Sequence, residues 1–549
     1  MVAMGVRRRA RHRGRTALTA AAVASLLTAG CAASLSADYA AAGPAGAAAP
    51  PPQPPPQLTQ AKVDDAVGKL DGIVRDAMKK TGVPGVAVVV VHKDRVVYLK
   101  GFGARHVGQS AAVDPDTVFE LASLSKPLAS TVVAGVVGGK SIAWDDPVAG
   151  HLPGFALKDP WVTAHVTYAD LFSHRSGLPD HAGDLLEDLG YDRTYVLDHL
   201  RYEPLTPFRA SYAYTNFGVT AAGQAAANVK DTTWEKLAED TLYSPAGMNS
   251  TSSRFADYDH AKDKAATHVK AADGSWQATY VRDADAQSPA GGASSTARDM
   301  GTWLRLQLAD GRLDGRQLIP AAALERTHLP EIVAQPPRAP AGRAGFYGLG
   351  WNVGYDDQGR LRLSHSGAFE LGANTNVTML PGEQLGIAVL TNGAPVGLAD
   401  SVALDFFDTA QYGKPTADWL PLLDQVYRQE DQRGRSPTDY TKIPRNAAAA
   451  RSTDAYTGTY DNAFYGPLTV TAGKSGELTM SLGPKHMAFR LTHYDGDTFS
   501  FRTVGENATG LSGVSFKAAP GSAGPGGAKA AQVTVEAWNQ DGLGTFTRP

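Results

Sequence analysis

The sequence predicts a mixed α/β domain with a helical subdomain inserted into it, followed by a separate all-β domain. Strand patterns occur at 86–100 and return at 361–391, whereas residues 141–340 carry helical patterns and loops. Strands at both ends with helices between them predict one sheet made of distant segments. From 453 to 549 the pattern changes to short alternating runs, which predict a small barrel or sandwich.

The elements of the first domain follow in order along the chain. Apolar residues at helical spacing predict a helix that begins near Val63 and ends at Gly82. Two β-branched runs, 86–91 and 95–100, flank Lys93-Asp94 and predict a hairpin. A further helix begins near Ser123 and includes an apolar stretch. The remaining predicted elements are strands at 361–364, 375–379 and 385–391 and a helix at 398–409.

Eight alternating runs predict the strands of the second domain. A Gly/Pro/Ala-rich loop at 518–527 separates two of them, and the polar segment 424–443 predicts a connector to the first domain. The runs are 456–460, 468–470, 478–482, 488–492, 498–502, 514–517, 533–537 and 545–548.

Composition excludes several classes of protein. The chain has 549 residues, of which 43% are hydrophobic and 19% charged, as in a folded soluble protein. Without the six arginines of residues 1–30, 46 basic residues face 55 acidic ones, which argues against nucleic acid as a partner. The single cysteine, Cys31, excludes an internal disulfide and a metal site built from several cysteines. We expect no metal ion and no cofactor.

Residues 1–30 have the pattern of an export signal. Arginines in the first fifteen positions precede an apolar run at 16–30, which has the length of a signal-peptide core. The segment Leu27-Thr-Ala-Gly-Cys31 resembles a bacterial lipobox, with Thr28 where leucine is usual. We expect export to the extracellular space or cell envelope. Lipidation at Cys31, the only membrane contact we expect, and ordinary signal-peptide cleavage are the two alternatives.

These patterns divide the chain into five segments. A Pro-rich stretch after the signal predicts an extended spacer. The predicted segments are a signal peptide at 1–30, a linker at 31–60, the first folded domain at 61–415, a connector at 416–450 and the all-β domain at 451–549.

Ser123-Leu-Ser-Lys126 is the first motif that indicates chemistry. Positions i and i+3 share a helix face, so Lys126 can approach the Ser123 hydroxyl. A lysine held among apolar groups is partly neutral and can accept a proton, which a serine nucleophile requires. The same tetrapeptide also fits a helix N-cap followed by a surface lysine.

Two further motifs favour the catalytic interpretation. Tyr214-Thr-Asn216 lies in a polar aromatic loop, and His365-Ser-Gly367 lies on a strand-like segment. In this order the three motifs resemble those of the class C β-lactamase-related serine hydrolases, which include penicillin-binding proteins, D-Ala-D-Ala carboxypeptidases and esterases. The resemblance covers about residues 62–412. Further similar segments are 119–127, 171–179, 244–248 and 289–292.

The resemblance implies a fold and a set of residue roles. The implied fold is β-lactamase/transpeptidase-like, with an antiparallel sheet flanked by helices and a helical subdomain. The active site would lie between these two parts, and the small all-β barrel-like domain would follow. The reaction would pass through a covalent ester, and which group takes the first proton stays open. The implied roles are catalysis by Ser123, Lys126 and Tyr214, substrate binding by Asn216, His365, Ser366 and Gly367, and an oxyanion hole from the N–H groups of Ser123 and Ala368.

Position 365 departs from the β-lactamase pattern, which is Lys-Thr-Gly there. A histidine is only partly charged near neutral pH, so we expect it to hold a β-lactam carboxylate less firmly than lysine does. His-Ser-Gly resembles the strand of some D-Ala-D-Ala peptidases and esterases of the family. The departure therefore counts against an efficient β-lactamase.

The predicted function is an exported serine hydrolase that acts on an amide or ester through acyl-Ser123. The expected substrate is a D-amino-acid peptide, cleaved in the manner of a D-Ala-D-Ala carboxypeptidase or an aminopeptidase. The alternatives are an esterase or acyl transferase, a weak class C-like β-lactamase, and a non-catalytic protein that binds cell-wall peptides. The expected partner is a small molecule or peptide, with a peptidoglycan stem peptide and a β-lactam as candidates.

Overall fold

The computed structural model of the chain describes residues 58–518 and 529–549. The predicted signal peptide, Cys31 and most of the predicted linker lie outside the described residues, as does most of the predicted loop at 518–527. No helix within the described ranges combines the length and the apolarity that a bilayer span requires.

An antiparallel sheet of eight strands forms the centre of the first domain. The N-terminal hairpin pairs with strands from the far end of the domain, with Val86 opposite Thr391. The predicted sheet of distant segments is therefore confirmed. In spatial order the strands are Arg95–Gly103, Gly85–His92, Leu385–Thr391, Ala373–Leu380, Leu361–Phe369, Asn352–Tyr355, Gly345–Tyr347 and Ile332–Gln335.

The sheet is buried on both faces because helices cover each of them. Side chains alternate along a strand, so Val86, Val88 and Val90 belong to one apolar cluster and Val89 and Val91 to the other. The first cluster packs against the helices Gln60–Thr81 and Leu398–Tyr412, and the second against Ser125–Gly138 and Ala297–Leu308.

A helical subdomain completes the first domain and surrounds the helix Ser125–Gly138, called here the nucleophile helix. Its large buried side chains include Phe217 and Trp234. Its main helices are Pro160–His165, Tyr168–Phe172, Asp184–Asp188, Arg193–His199, Asn216–Val229, Trp234–Ala238, Phe255–His260, Ser288–Gly291 and Ala321–Glu325.

A helix at Trp419–Asp431, called here the connector helix, occupies part of the predicted connector. It packs against the helix Leu398–Tyr412, and its residues Trp419, Leu420 and Leu423 are buried. The polar sequence of this segment did not indicate a helix, because its apolar residues are confined to one face.

The C-terminal domain is a nearly closed barrel of eight strands, each paired with its neighbour in sequence. Backbone hydrogen bonds between Asp461 and Thr547 bring the first strand to the last. All eight predicted runs are strands, which confirms the predicted all-β domain. The strands are Gly458–Tyr460, Leu468–Ala472, Leu478–Leu482, Met487–Asp495, Thr498–Arg502, Leu511–Ala518, Ala530–Val535 and Thr545–Thr547.

Candidate active site

Ser123 lies in a 3-10 turn, Ala122–Leu124, that leads directly into the nucleophile helix. Ala122 adopts a φ of 49°, in the left-handed region that non-glycine residues rarely occupy. Two side-chain hydroxyls hold the turn: Ser125 Oγ donates to the Ala122 carbonyl at 2.7 Å, and Thr375 Oγ1 donates to the Leu121 carbonyl at 2.7 Å. The turn therefore presents Ser123 on a fixed backbone.

Lys126 is completely buried beside Ser123. Its Nζ donates to Ser123 Oγ at 3.1 Å, to Asn216 Oδ1 at 2.7 Å and to the Ala290 carbonyl at 3.1 Å. All three acceptors are neutral, so none of them repays the cost of burying a cation. Burial lowers the pKa of Lys126 to about 7, with Asp184 opposing this shift. A sizeable fraction of Lys126 is therefore neutral at physiological pH and able to accept a proton.

Tyr214 approaches the nucleophile from the other side. Its hydroxyl donates to Ser123 Oγ at 2.9 Å, and its ring lies 4.5 Å from Lys126 Nζ. Burial raises the pKa of Tyr214, and the hydrogen bond to Ser123 offsets only part of that shift. Tyr214 is therefore a neutral proton donor in the resting site, whereas Lys126 is the stronger candidate for the first base.

Asn216 is fixed by a partner that the sequence analysis did not identify. Its Nδ2 donates to Asp184 Oδ2 at 2.8 Å while its Oδ1 faces Lys126. His181 Nδ1 lies 2.9 Å from the same Asp184 oxygen. Partial desolvation disfavours protonated His181, but the bond to Asp184 outweighs this and raises the pKa of His181 to about 9. Asp184 therefore orients the Asn216 amide and holds a charged histidine beside the site.

The strand Leu361–Phe369 forms the opposite wall. It pairs with Asn352–Tyr355 only over 361–364, so residues 365–369 leave one edge open beside Ser123. A Cβ at Gly367 would lie 2.1 Å from the Leu121 carbonyl oxygen. Gly367 was predicted to bind substrate, and in the structure its lack of a side chain also lets the strand contact the nucleophile turn. This contact brings Ala368 near Ser123, and the predicted oxyanion pair stays a prediction.

The predicted role of His365 in holding a substrate carboxylate stays a prediction. The side chain is 4% exposed and both ring nitrogens are engaged. Nδ1 donates to the Ser366 carbonyl at 2.8 Å, so Nε2 accepts from the Tyr347 hydroxyl at 2.8 Å. Burial, together with the charge of Lys126, lowers the pKa of His365 to about 3. His365 is therefore neutral at pH 7, not partly charged as predicted.

Ser366 was also predicted to bind substrate, and its side chain points away from Ser123. Side chains alternate across a strand, so Ser366 points to the face opposite His365 and Gly367. Its hydroxyl donates to Asp400 Oδ1, which also accepts from Asn376 Nδ2 at 2.8 Å. Ser366 therefore ties the strand to the helix Leu398–Tyr412.

Aromatic rings support Tyr214 from behind. The ring of His174 lies 4.5 Å from that of Tyr214 and 4.8 Å from that of Tyr347. His174 Nδ1 accepts from the Thr215 N–H at 3.1 Å, so His174 ties its own segment to the loop that carries Tyr214. The short strand that carries Tyr347 was not predicted, and no local pattern indicates its contact with His365.

The structure thus brings Ser123, Lys126, Tyr214, Asn216 and Gly367 to one place and turns Ser366 away. A serine with a buried, weakly basic lysine on one side and a protonated tyrosine on the other is suited to acyl transfer. The Lys126 amine can take the serine proton, and the tyrosine can protonate a leaving group.

Comparisons with known proteins identify the family of the chain. A family model described as Beta-lactamase matches residues 70–405, and one described as a domain of unknown function (DUF3471) matches residues 443–523. The unguisins hydrolase ungD of Aspergillus violaceofuscus is 23% identical over 469 residues, which is 79% of this chain and 82% of the relative. Penicillin-binding protein 4 of Amycolatopsis lactamdurans is 28% identical over 341 residues, which is 59% of this chain and 84% of the relative.

Solved structures show the same fold. The octameric penicillin-binding protein homologue from Pyrococcus abyssi has a TM-score of 0.54 at 19% sequence identity. Its superposition covers 85% of this chain and 98% of the Pyrococcus chain. The class C β-lactamase from Rhodobacter sphaeroides has a TM-score of 0.51 at 22% sequence identity. Its superposition covers 62% of this chain and 99% of the Rhodobacter chain. Since the Beta-lactamase model matches more than half of its residues, the chain belongs to the β-lactamase family of serine hydrolases.

Proposed function

We propose that the protein is an exported serine hydrolase that cleaves an amide bond of D-amino-acid peptides through a covalent ester on Ser123. The observation that carries the proposal is a pair of hydrogen bonds. Ser123 Oγ accepts from Lys126 Nζ at 3.1 Å and from Tyr214 OH at 2.9 Å. Family membership supports hydrolysis, and one relative is itself named a hydrolase.

The first step forms the ester. Neutral Lys126 accepts the hydroxyl proton as Ser123 Oγ attacks the carbonyl carbon, and the N–H groups of Ser123 and Ala368 are suited to bind the resulting oxyanion. Tyr214 donates its proton to the leaving amine as the C–N bond breaks, and protonated Lys126 restores the proton of Tyr214. Water then attacks the ester, with the same groups acting in reverse, and frees the acid and Ser123.

The chemistry of the strand favours substrates without a free carboxylate at the scissile bond. His365 is neutral and hydrogen-bonded at both nitrogens, so the strand position occupied by lysine in the β-lactamase pattern supplies no cation. The nearest charged pair, His181 and Asp184, already neutralises itself. We therefore favour an internal or amino-terminal peptide bond over the C-terminal bond of a D-Ala-D-Ala peptide, and we expect poor β-lactam turnover.

The same neutral strand supports a second candidate, an esterase or acyl transferase. An alkyl or aryl ester presents no carboxylate that the strand would have to pair. A binding protein for cell-wall peptides is less well supported, because binding alone does not require the buried lysine and tyrosine to converge on a serine. Export, anchoring at Cys31 and a peptidoglycan stem peptide as substrate remain proposals that rest on residues 1–31 and on the family resemblance.

Intact-mass spectrometry of the protein with acylating probes tests the mechanism. The probes are a D-alanyl p-nitroanilide, p-nitrophenyl acetate and benzylpenicillin. We expect an acyl adduct, or product release, with the wild type and with Ser141→Ala, an exposed serine just after the nucleophile helix. Ser123→Ala should lose both.

The pattern across probes separates the candidates. Turnover of the anilide well above that of the ester supports the peptidase, and the reverse supports the esterase. Absence of acylation by all three probes, or labelling that survives Ser123→Ala, would contradict the proposed mechanism.

A further inference from the structure

A cavity of about 620 Å³ lies where the helical subdomain, the end of the connector helix and the barrel meet. It begins beside the catalytic residues, because Asp184, which accepts from Asn216, forms part of its wall. Glu370, two residues after Ala368, forms another part. A group attached to a substrate at Ser123 can therefore extend in this direction.

The wall of this cavity is strongly acidic. Carboxylates from both domains line it, whereas the basic side chains among its lining residues are His181 and Arg433. Each of these is already paired: His181 with Asp184 at 2.9 Å, and Arg433 with Glu430 at 2.7 Å. Glu506 of the barrel pairs with Arg282 at 3.0 Å. The remaining carboxylates leave the cavity with an excess of acceptors.

Glu203 is a buried carboxyl group of the cavity wall. The residue is 3% exposed, and its Oε1 accepts from the Gly183 N–H at 3.2 Å. Its Oε2 is buried and has no hydrogen-bond partner among residues 58–518 and 529–549. Asp184 Oδ1 is likewise buried and has no hydrogen-bond partner among these residues. Burial, with the charge of Asp541, raises the pKa of Glu203 to about 8. A carboxylate oxygen that is ionised and buried without a donor is costly, and a cation bound in the cavity would stabilise the ionised form.

Aromatic side chains of the barrel form the opposite wall. Tyr465, Phe489, Phe501 and Trp538 line the cavity, and the ring of Trp538 lies within 5.9 Å of each of the other three. Aromatic faces attract ammonium and guanidinium groups, and they do so most strongly where water is excluded. Carboxylates on one side and rings on the other suit a cation attached to an apolar stem.

We propose that this cavity is a subsite for an ammonium or guanidinium group carried by the substrate. The inference rests on the proposed function, which supplies the substrate at Ser123. It assigns a role to the barrel, whose sequence matches a domain of unknown function: the barrel supplies the aromatic wall and part of the acidic wall of the substrate site. It also specifies the proposed substrates as peptides with a cationic group.

Calorimetric titration of the full chain tests the subsite separately from catalysis. The Ser123→Ala variant is titrated with phenethylammonium chloride and with 2-phenylethanol, which share an apolar stem and differ in the charged group. We expect about tenfold tighter binding of the ammonium probe, since a charge-assisted hydrogen bond contributes this order of free energy. In two buffers of different ionisation heat, binding at pH 7.5 should release protons, because the cation favours ionised Glu203.

Variants of the wall complete the test. Glu203→Gln keeps an acceptor for Gly183 N–H and removes the carboxylate, and Asp541→Asn removes a second carboxylate of the cavity wall. Either change should remove most of the preference for the ammonium probe, whereas Glu325→Gln, an exposed glutamate outside the cavity, should preserve it. Equal affinity for the two probes, or a preference that survives both wall variants, would overturn the subsite.

Active enzyme distinguishes failure of the subsite from failure of the proposed function. D-lysine p-nitroanilide should be cleaved with a higher kcat/KM than D-norleucine p-nitroanilide, and Glu203→Gln should abolish the difference. Cleavage of both at equal rates contradicts the subsite and leaves the hydrolase intact. Preference for the ammonium probe without cleavage of either substrate supports the subsite and contradicts the proposed peptidase activity.

Discussion

Two buried basic side chains, Lys126 and Arg282, have pKa values that are shifted in opposite directions. Lys126 is fully buried among neutral acceptors, and burial lowers its pKa to about 7. Arg282 is 9% exposed and lies between Glu187 Oε2 at 3.2 Å and Glu506 Oε1 at 3.0 Å. Burial opposes the charge of Arg282 too, but these carboxylates outweigh it and raise its pKa.

The comparison shows that the hydrogen-bond and ion-pair partners, more than burial itself, determine the pKa of a buried basic group. Lys126 has neutral partners, so burial lowers its pKa and it can act as a base. Arg282 has carboxylate partners, so it stays charged and links the first domain to the barrel. Asp400 is the acidic counterpart of Lys126, since its donors are the neutral groups of Ser366, Asn376 and Tyr427. Burial raises the pKa of Asp400, and these hydrogen bonds offset only part of the shift.

The largest expected effect comes from making Lys126 a permanent cation. Lys126→Arg keeps the positive charge but cannot give up a proton near neutral pH, so kcat/KM should fall by roughly 10²- to 10⁴-fold. Steady-state kinetics with a D-alanyl p-nitroanilide measure this loss. Lys140→Arg, at an exposed lysine after the nucleophile helix, should leave the rate unchanged. A Lys126→Arg enzyme with near-normal activity would exclude Lys126 as the base.

Removal of the other cation should affect stability first. Arg282→Leu leaves Glu187 and Glu506 without their cation, so the free energy of unfolding should fall by about 3–5 kcal/mol. Equilibrium denaturation in urea measures the change. Arg428→Leu breaks an exposed pair with Asp424 and should cost under about 1 kcal/mol. Equal costs for the two variants would show that the Arg282 cluster does not link the domains.

The pH dependence of kcat/KM tests how the charge of Asp184 affects the pKa of Lys126. Activity requires neutral Lys126, so it should rise with pH through about pH 7. Asp184 raises the pKa of Lys126, and therefore Asp184→Asn should move this rise to lower pH. Asp65→Asn, at an exposed carboxylate of the N-terminal helix, should leave the profile unchanged. A shift to higher pH would contradict the assigned role of Asp184.

The smallest expected effect concerns Ser366. Ser366→Ala removes one donor to Asp400 but leaves Asn376 and Tyr427 in place, so stability should fall by about 1 kcal/mol while KM stays unchanged. Denaturation and steady-state kinetics measure the two quantities, with Ser141→Ala as the control. A rise in KM with unchanged stability would support the predicted role of Ser366 in substrate binding.

Local sequence determined the parts of the molecule in which contacts are close along the chain. Each barrel strand pairs with the next, so alternation and turn residues were enough to predict all eight. Ser123 and Lys126 are three residues apart, and helical geometry alone predicted that they meet. The short strands Asn352–Tyr355, Gly345–Tyr347 and Ile332–Gln335 gave no such signal, because they consist of only three or four residues and pair at the sheet edge.

Tertiary structure alone decided which charges meet and which side chains face the site. Asp184, Arg282, Glu506 and Tyr347 come from four distant segments, and no periodic pattern relates them to Ser123. The charge state of His365 and the direction of Ser366 depended on what packs against each face of one strand. The sequence by itself placed Ser123 and Lys126 within reach of each other and set the two-domain order, because both follow from local spacing. Their candidate roles as nucleophile and base depend on the family resemblance and on the contacts of the folded site. Tertiary structure decided the partners that set each pKa and the cavity between the domains. Both depend on which distant segments are buried together, and burial exists only in the folded chain.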